Sequence, residues 1–140
     1  MRLSVFSAQH SAQLLIDLHK LYQGYFSPEQ LTNISLQGLI ENPQARLFVT
    51  LFNARHLGAL QVQCIAQTAT FSLLCVRDLT RRRGVAKNLL NEVEKRLKNE
   101  NILVLQMSLD EFPEQEKHAV MLFMQACDYA FEKGVFSKML

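Results

Sequence analysis

Arg81-Arg82-Arg83-Gly84-Val85-Ala86 stands between a short apolar run and an amphipathic stretch, and this junction constrains the chain more than any other segment. The run Phe71-Ser72-Leu73-Leu74-Cys75-Val76 is long enough for a buried strand and too short for an independent helix. Beyond the arginines, Val85, Leu89, Leu90, Val93 and Leu97 recur as one helical stripe. Lys87, Asn88, Asn91, Glu92, Glu94, Lys95 and Lys98 fall on the opposite face, which is expected to be solvated. A strand, a basic turn and a helix opening in that order make a candidate anion site. The first helical turn has unpaired N–H groups, and the helix dipole leaves partial positive charge there. Gly84 carries no Cβ to keep an anion off the backbone. Arginine bonds to a phosphate add about 1.5–3 kcal/mol each when well formed. A bare arginine triplet also reads as a solvated surface turn; the strand before it and the helix behind it favour the anion site. The segment is neither a G-x-x-x-x-G-K-[ST] phosphate loop nor a G-x-G-x-x-G dinucleotide fingerprint.

With 140 residues, of which 49% are hydrophobic, the chain is expected to form one domain over residues 1–140, with a core that needs neither disulfides nor metal. Fifteen basic residues against 13 acidic ones leave a net charge of +2, too little for a general pull toward nucleic acid. Nor does a basic stripe with interleaved aromatics follow Arg81–Arg83, so no nucleic-acid partner is expected. The expectation is a cytoplasmic protein without signal peptide or membrane span. Cys64, Cys75 and Cys127 read as reduced core thiols, and His10, His19, His56 and His118 are scattered without metal-ligand spacing.

Along the chain, Leu3–Phe6 reads as a strand, and Ser11 as the cap of a helix with Leu14, Leu15, Leu18, Leu21 and Tyr22 on its buried stripe. A second short helical piece is expected to end before Asn42-Pro43. Leu47–Phe52 and Leu57–Cys64 read as paired strands around a turn at Asn53–His56. After the strand ending at Val76, the helix runs to about Asn99. Ile102–Met107 then reads as a buried strand, Gln115–Ala126 as a helix, and Tyr129–Phe131 with Val135-Phe136 as a closing hairpin.

The pattern R-x-x-G-x-A at Arg81–Ala86 resembles the pyrophosphate loop of the GCN5-related N-acetyltransferase (GNAT) superfamily, written [QR]-x-x-G-x-[GA]. The order β-α-α-β-β-β-α-β-α-β is that of the same superfamily. The resemblance implies a single α/β (α+β) domain whose mixed central sheet, flanked by helices, splays between the strand before the loop and the strand after its helix. It implies acetyl-CoA (or CoA) as cofactor. Pantetheine contacts would fall on Leu74, Cys75 and Val76, through their backbone groups. Pyrophosphate contacts would fall on Thr80, Arg81, Arg82, Arg83, Gly84, Val85, Ala86 and Lys87. Core packing is the competing role for the Leu74 and Val76 side chains.

Acetyl transfer needs a base for the amine and an acid for the leaving thiolate. The superfamily's usual acid, a tyrosine five residues before an aromatic, corresponds to Met124 before Tyr129, and methionine donates no proton. The usual base lies on or near the strand ending at Val76, yet no carboxylate occurs from Leu57 to Val76. The pattern favours a binder of acetyl-CoA over an efficient transferase, so no catalytic residue is assigned. A true N-acetyltransferase acting on a small-molecule or protein amine is the alternative.

Val76–Val85 with Leu89-Leu90 and Glu92-Val93 is more closely similar to the PanM/PanZ family of aspartate 1-decarboxylase maturation factors. Ile16-Asp17-Leu18, Tyr25 with Ser27-Pro28, Phe52-Asn53 and Phe123–Ala126 match as well. This resemblance implies an acetyl-CoA-binding regulator that docks on the aspartate 1-decarboxylase proenzyme and promotes its self-cleavage to the pyruvoyl form. It would also act on the mature enzyme and so tune pantothenate and CoA synthesis. Asn53 and Arg81 are the expected partner contacts, with a plain turn role the competing reading of Asn53. Three departures stand out: Ala86 in place of a second glycine, extra length around Asn99–Gln115, and Leu51 where the family has arginine.

Overall fold

The computed structural model describes residues 3–77 and 83–140. Strand β1 (Ser4–Ser7) leads into helix α1 (Ala12–Tyr22), a 3-10 turn (Pro28–Leu31) and helix α2 (Asn33–Glu41). Three antiparallel strands follow: β2 (Arg46–Phe52), β3 (Arg55–Ile65) and β4 (Thr68–Val76). Helix α3 (Arg83–Asn99) then crosses to β5 (Val104–Ser108). A 3-10 turn (Leu109–Glu111), helix α4 (Glu114–Ala126) and the hairpin β6 (Ala130–Glu132) and β7 (Val135–Met139) complete the chain. The sheet runs β1-β2-β3-β4-β5-β7-β6, and β4 with β5 is its parallel pair. This is the mixed, helix-flanked α/β sheet expected from the sequence.

Local chemistry accounts for most element ends. The Ser11 hydroxyl accepts from the Leu14 amide at 3.0 Å, fixing the start of α1 as expected. Between β2 and β3 the turn is tighter than Asn53–His56. Asn53 and Ala54 alone make it, at φ 49° and 63°, and Arg55 and His56 already belong to β3. Two left-handed residues match the twist of the strands they join. Lys133-Gly134 does the same for the closing hairpin, at φ 51° and 81°. Ile102 is not strand: its amide bonds to Leu97 O and closes α3, so β5 starts at Val104.

Two apolar clusters sandwich the sheet. One holds Leu14, Leu18, Leu21, Tyr22 and Leu36 of α1 and α2 against Leu47, Val49, Ala59 and Cys75. The other holds Leu89, Leu90, Val93 and Leu97 of α3, together with Val120, Phe123 and Met124 of α4, against Phe48, Leu60, Phe71 and Leu105. Two further expectations need correction. Glu94 is not on the solvated face of α3: it is buried, bound by the Tyr129 hydroxyl at 2.5 Å and the Lys138 ammonium at 3.0 Å. Cys64 is exposed near the end of β3, and only Cys75 and Cys127 are core thiols. No described helix is long and apolar enough to cross a membrane.

Candidate functional site

The parallel pairing of β4 with β5 covers Thr68–Phe71 against Val104–Met107 and then stops. Beyond it β4 continues to Val76 with no strand partner on that side among the described residues, so the sheet opens into a V. Helix α3 begins just past the open end, with no acidic side chain in its first turn. A carboxylate there would compete with an incoming anion for the helix N–H groups.

Of the expected cofactor residues, the structure describes Leu74–Val76 at the end of β4 and Arg83–Lys87 in the first turn of α3. Leu74, Cys75 and Val76 lie on the open stretch of β4 with buried side chains. Val85 and Ala86 are buried in the same core cluster as Leu74 and Val76, while Gly84 and Lys87 are exposed. A Cβ placed on Gly84 meets no protein atom within 4 Å, so the fold itself does not demand glycine there. Open space in front of a first-turn amide suits a ligand that must touch the backbone. Thr80, Arg81 and Arg82 lie outside the described residues, and Arg83 is placed only as the first residue of α3. Asn53 is exposed at the tip of the β2–β3 turn, at the end of the sheet where Val76 closes β4 beside Gly58.

Polar groups that spacing did not reveal gather at the inner end of the V. A cavity of about 270 Å³ is lined by Tyr22, Tyr25, Phe26, Leu73, Leu74, Glu111 and Phe112, among others. Tyr22 stacks on Phe26 with ring centres 4.6 Å apart and donates its hydroxyl to Leu73 O at 2.6 Å. The Leu73 amide donates to Glu111 Oε1 at 2.9 Å. Tyr25 donates its hydroxyl to Glu116 of α4, which ties the chain after α1 to the far side of the cleft. Glu111 is exposed as a whole residue, and partial desolvation of its carboxyl at the rim of the cavity pushes it up to about 7, against the lowering effect of the Leu73 amide. Burial and then the Glu116 contact push the Tyr25 hydroxyl well above its usual value. Burial, reinforced by the Glu116 charge, pushes the Cys75 thiol up to about 12, and its Sγ donates to Leu21 O at 2.8 Å, so it is no nucleophile. Met124 is fully buried, and Tyr129 is held by Glu94, which agrees with a packing role for that aromatic.

Tyr22 and Tyr25 lie three residues apart and Glu111 and Glu116 five apart, but a long stretch of chain separates the two pairs, so no spacing marks them as one site. The available signal was weak: Ser108-Leu109-Asp110-Glu111 follows directly on a buried strand, at the end where open α/β sheets bind ligands.

The family described as "Acetyltransferase (GNAT) domain, PanZ" matches residues 2–137. The chain is 30% identical to the PanD regulatory factor of Salmonella typhimurium over 139 residues, covering 99% of both proteins. It is 31% identical to the PanD regulatory factor of Escherichia coli over 137 residues, covering 98% of this chain and 94% of that one. The solution structure of E. coli YhhK bound to coenzyme A superposes with a TM-score of 0.78 at 29% identity, covering 100% of both chains. PaiA N-acetyltransferase of Thermoplasma acidophilum, in complex with coenzyme A, superposes with a TM-score of 0.76 at 16% identity and full coverage, a likeness of fold.

Proposed function

The chain belongs to the PanZ family of GNAT acetyltransferase domains, and on that premise we propose that it is an acetyl-CoA-responsive regulator of aspartate 1-decarboxylase. It docks on the proenzyme in the cytoplasm as a single domain, promotes self-cleavage to the pyruvoyl form, and so tunes pantothenate and CoA synthesis. The observation that carries this reading is a ligand cleft on a chain that matches PanD regulatory factors from end to end.

In this reading the backbone of Leu74, Cys75 and Val76 holds pantetheine. The first turn of α3, from Arg83 through Gly84, Val85, Ala86 and Lys87, takes the pyrophosphate together with Thr80, Arg81 and Arg82. Acetyl-CoA (or CoA) supplies phosphate charge and, when acetylated, a carbonyl oxygen. The chain's own groups bind and orient. Lys87 is exposed at the mouth to meet charge, while Val85 and Ala86 anchor the turn in the core. Asn53 and Arg81 are the proposed contacts with the decarboxylase. Self-cleavage through an acyl shift requires a strained peptide in the proenzyme, at a cost of about 1–3 kcal/mol. A partner that binds the strained conformer more tightly raises its population. If acetyl-CoA favours docking, docking favours acetyl-CoA by the same factor.

Titration of acetyl-CoA into the protein, alone and with the proenzyme, tests this. The expected result is tighter acetyl-CoA binding with proenzyme present and faster pyruvoyl formation. Equal affinity in both titrations and no acceleration would overturn it. One observation favours a second reading as an N-acetyltransferase: Glu111, a carboxyl near neutrality, stands within the cleft. Steady-state acetylation of an amine, lost in Glu111→Gln, would establish that reading. In the present arrangement, however, the Glu111 oxygen sits on a backbone amide of the cleft wall, which is not where a base receives a proton from an amine.

A further inference from the structure

At Leu73, β4 departs from regular pairing. Ala59 pairs with Cys75 and Gln61 with Ser72, so Leu60 alone faces both Leu73 and Leu74. The extra residue is Leu73 itself, at φ 55°. A bulge of this kind re-aims the groups of the extra residue out of the ladder. Here both are taken by side chains from outside the sheet: the carbonyl by the Tyr22 hydroxyl at 2.6 Å, the amide by Glu111 at 2.9 Å. Glu111 comes from the 3-10 turn that follows β5, so the far wall of the cleft closes onto the near wall.

The following step rests on the cofactor reading above. A ligand with its phosphates at the first turn of α3 and its chain along Val76, Cys75 and Leu74 reaches Leu73 with its sulfur end. We propose that Glu111 is a tethered competitor for the acyl group: its carboxylate holds the one amide that a thioester oxygen would use, so displacement of Glu111 sets the site's preference for acetyl-CoA over CoA. One N–H cannot serve two oxygens at full strength. Acetyl-CoA has a carbonyl to place there and must displace Glu111. CoA ends in a thiol and need not.

Protonation loosens the competitor, because a neutral carboxyl accepts more weakly than a carboxylate. Tyr22 of α1 and Tyr25 beyond it line the same cavity as Glu111; Glu116 of α4 and Cys75 of β4 act on Tyr25, and Asp110 precedes Glu111 on its own turn. Burial moves both tyrosines upward and the thiol up to about 12, away from neutrality, whereas the Glu111 carboxyl stands at about 7. Glu116 already accepts from Tyr25. Acidification through neutrality therefore acts on Glu111 and favours acetyl-CoA.

Calorimetric titration of acetyl-CoA and of CoA into wild type, Glu111→Ala and Glu111→Gln at pH 8 and pH 6 tests the proposal, with a melting curve of each variant to confirm folding. Glu111→Ala is expected to tighten acetyl-CoA about tenfold at pH 8, the scale of one charge-assisted hydrogen bond, and to leave CoA within about twofold. Glu111→Gln is expected to fall between. In wild type the acetyl-CoA to CoA preference rises about fivefold or more from pH 8 to pH 6, and in Glu111→Ala it does not. An unchanged preference in a folded Glu111→Ala, or weaker acetyl-CoA binding, overturns the proposal while leaving the cofactor reading intact. Failure of both ligands to bind wild type overturns the cofactor reading, and the proposal with it.

Discussion

Asp17 is buried at 1% exposure, yet it is a charged residue on the core stripe of α1. Its carboxylate accepts from Gln13 Nε2 at 2.9 Å, Arg55 Nε at 3.0 Å and the His56 amide at 2.8 Å, with the His56 ring Nδ1 also at 2.8 Å. Burial by itself raises such a carboxyl, but these bonds outweigh it and hold Asp17 below its usual value. A depressed folded value means that the stabilisation is complete above the unfolded value near ~3.9 and is lost as pH falls through the folded one. Asp17→Asn is therefore expected to cost about 2 kcal/mol in urea unfolding at pH 7, and to cost less as the buffer is taken below pH 4. A cost independent of pH would count against the charge as the active element. Nothing in the sequence pairs Asp17 with Arg55 and His56, which lie 38 and 39 positions on. The same holds for Glu111 with Leu73 and for Glu94 with Tyr129 and Lys138: contacts made across the fold leave no periodic mark.

Elements were far more legible, because their signals are local. The Leu89, Leu90, Val93 and Leu97 stripe announced α3 and the side it buries. The Ser11 cap and both hairpins followed from turn and cap chemistry. Errors came where tertiary structure tightened a turn, as at Asn53-Ala54, or where a hydrogen bond ended a helix, as at Ile102. Two substitutions test this level. Ala54 holds φ 63° in an exposed turn, so Ala54→Gly is expected to raise stability by about 0.5 kcal/mol, read from the urea midpoint. Gly84 lies in the first turn of α3 with open space before it, so Gly84→Ala is expected to leave the melting temperature of the free protein unchanged or slightly higher. The same variant should weaken CoA binding about tenfold or more in a titration, because its methyl group fills the space a phosphate would use. Loss of both stability and binding would mean that Gly84 serves the fold.

For the whole molecule, a ligand that binds the folded chain alone stabilises it by mass action. Acetyl-CoA at about 100 times its dissociation constant contributes about 2.7 kcal/mol, which for a chain of this size raises the melting temperature by roughly 5–10 °C. A melt without any such shift would remove the cofactor from the proposed function. The architecture and family were readable from the strand, loop and helix around Arg81–Ala86 and from element order, since both are properties of linear pattern. The interior of the cleft was not, because its walls are assembled from the end of α1 and the chain after it, β4 and the turn after β5. The four rungs that join β4 to β5 carry a mechanical meaning. They make the sheet two leaves on a short spine, and the Tyr25–Glu116 contact joins the chain after α1 to α4 across the opening. A ligand seated between the leaves would bear on both of them at once. In the proposed function, a partner lying across both leaves would meet a different surface when the gap is filled than when it is empty, without touching what fills it.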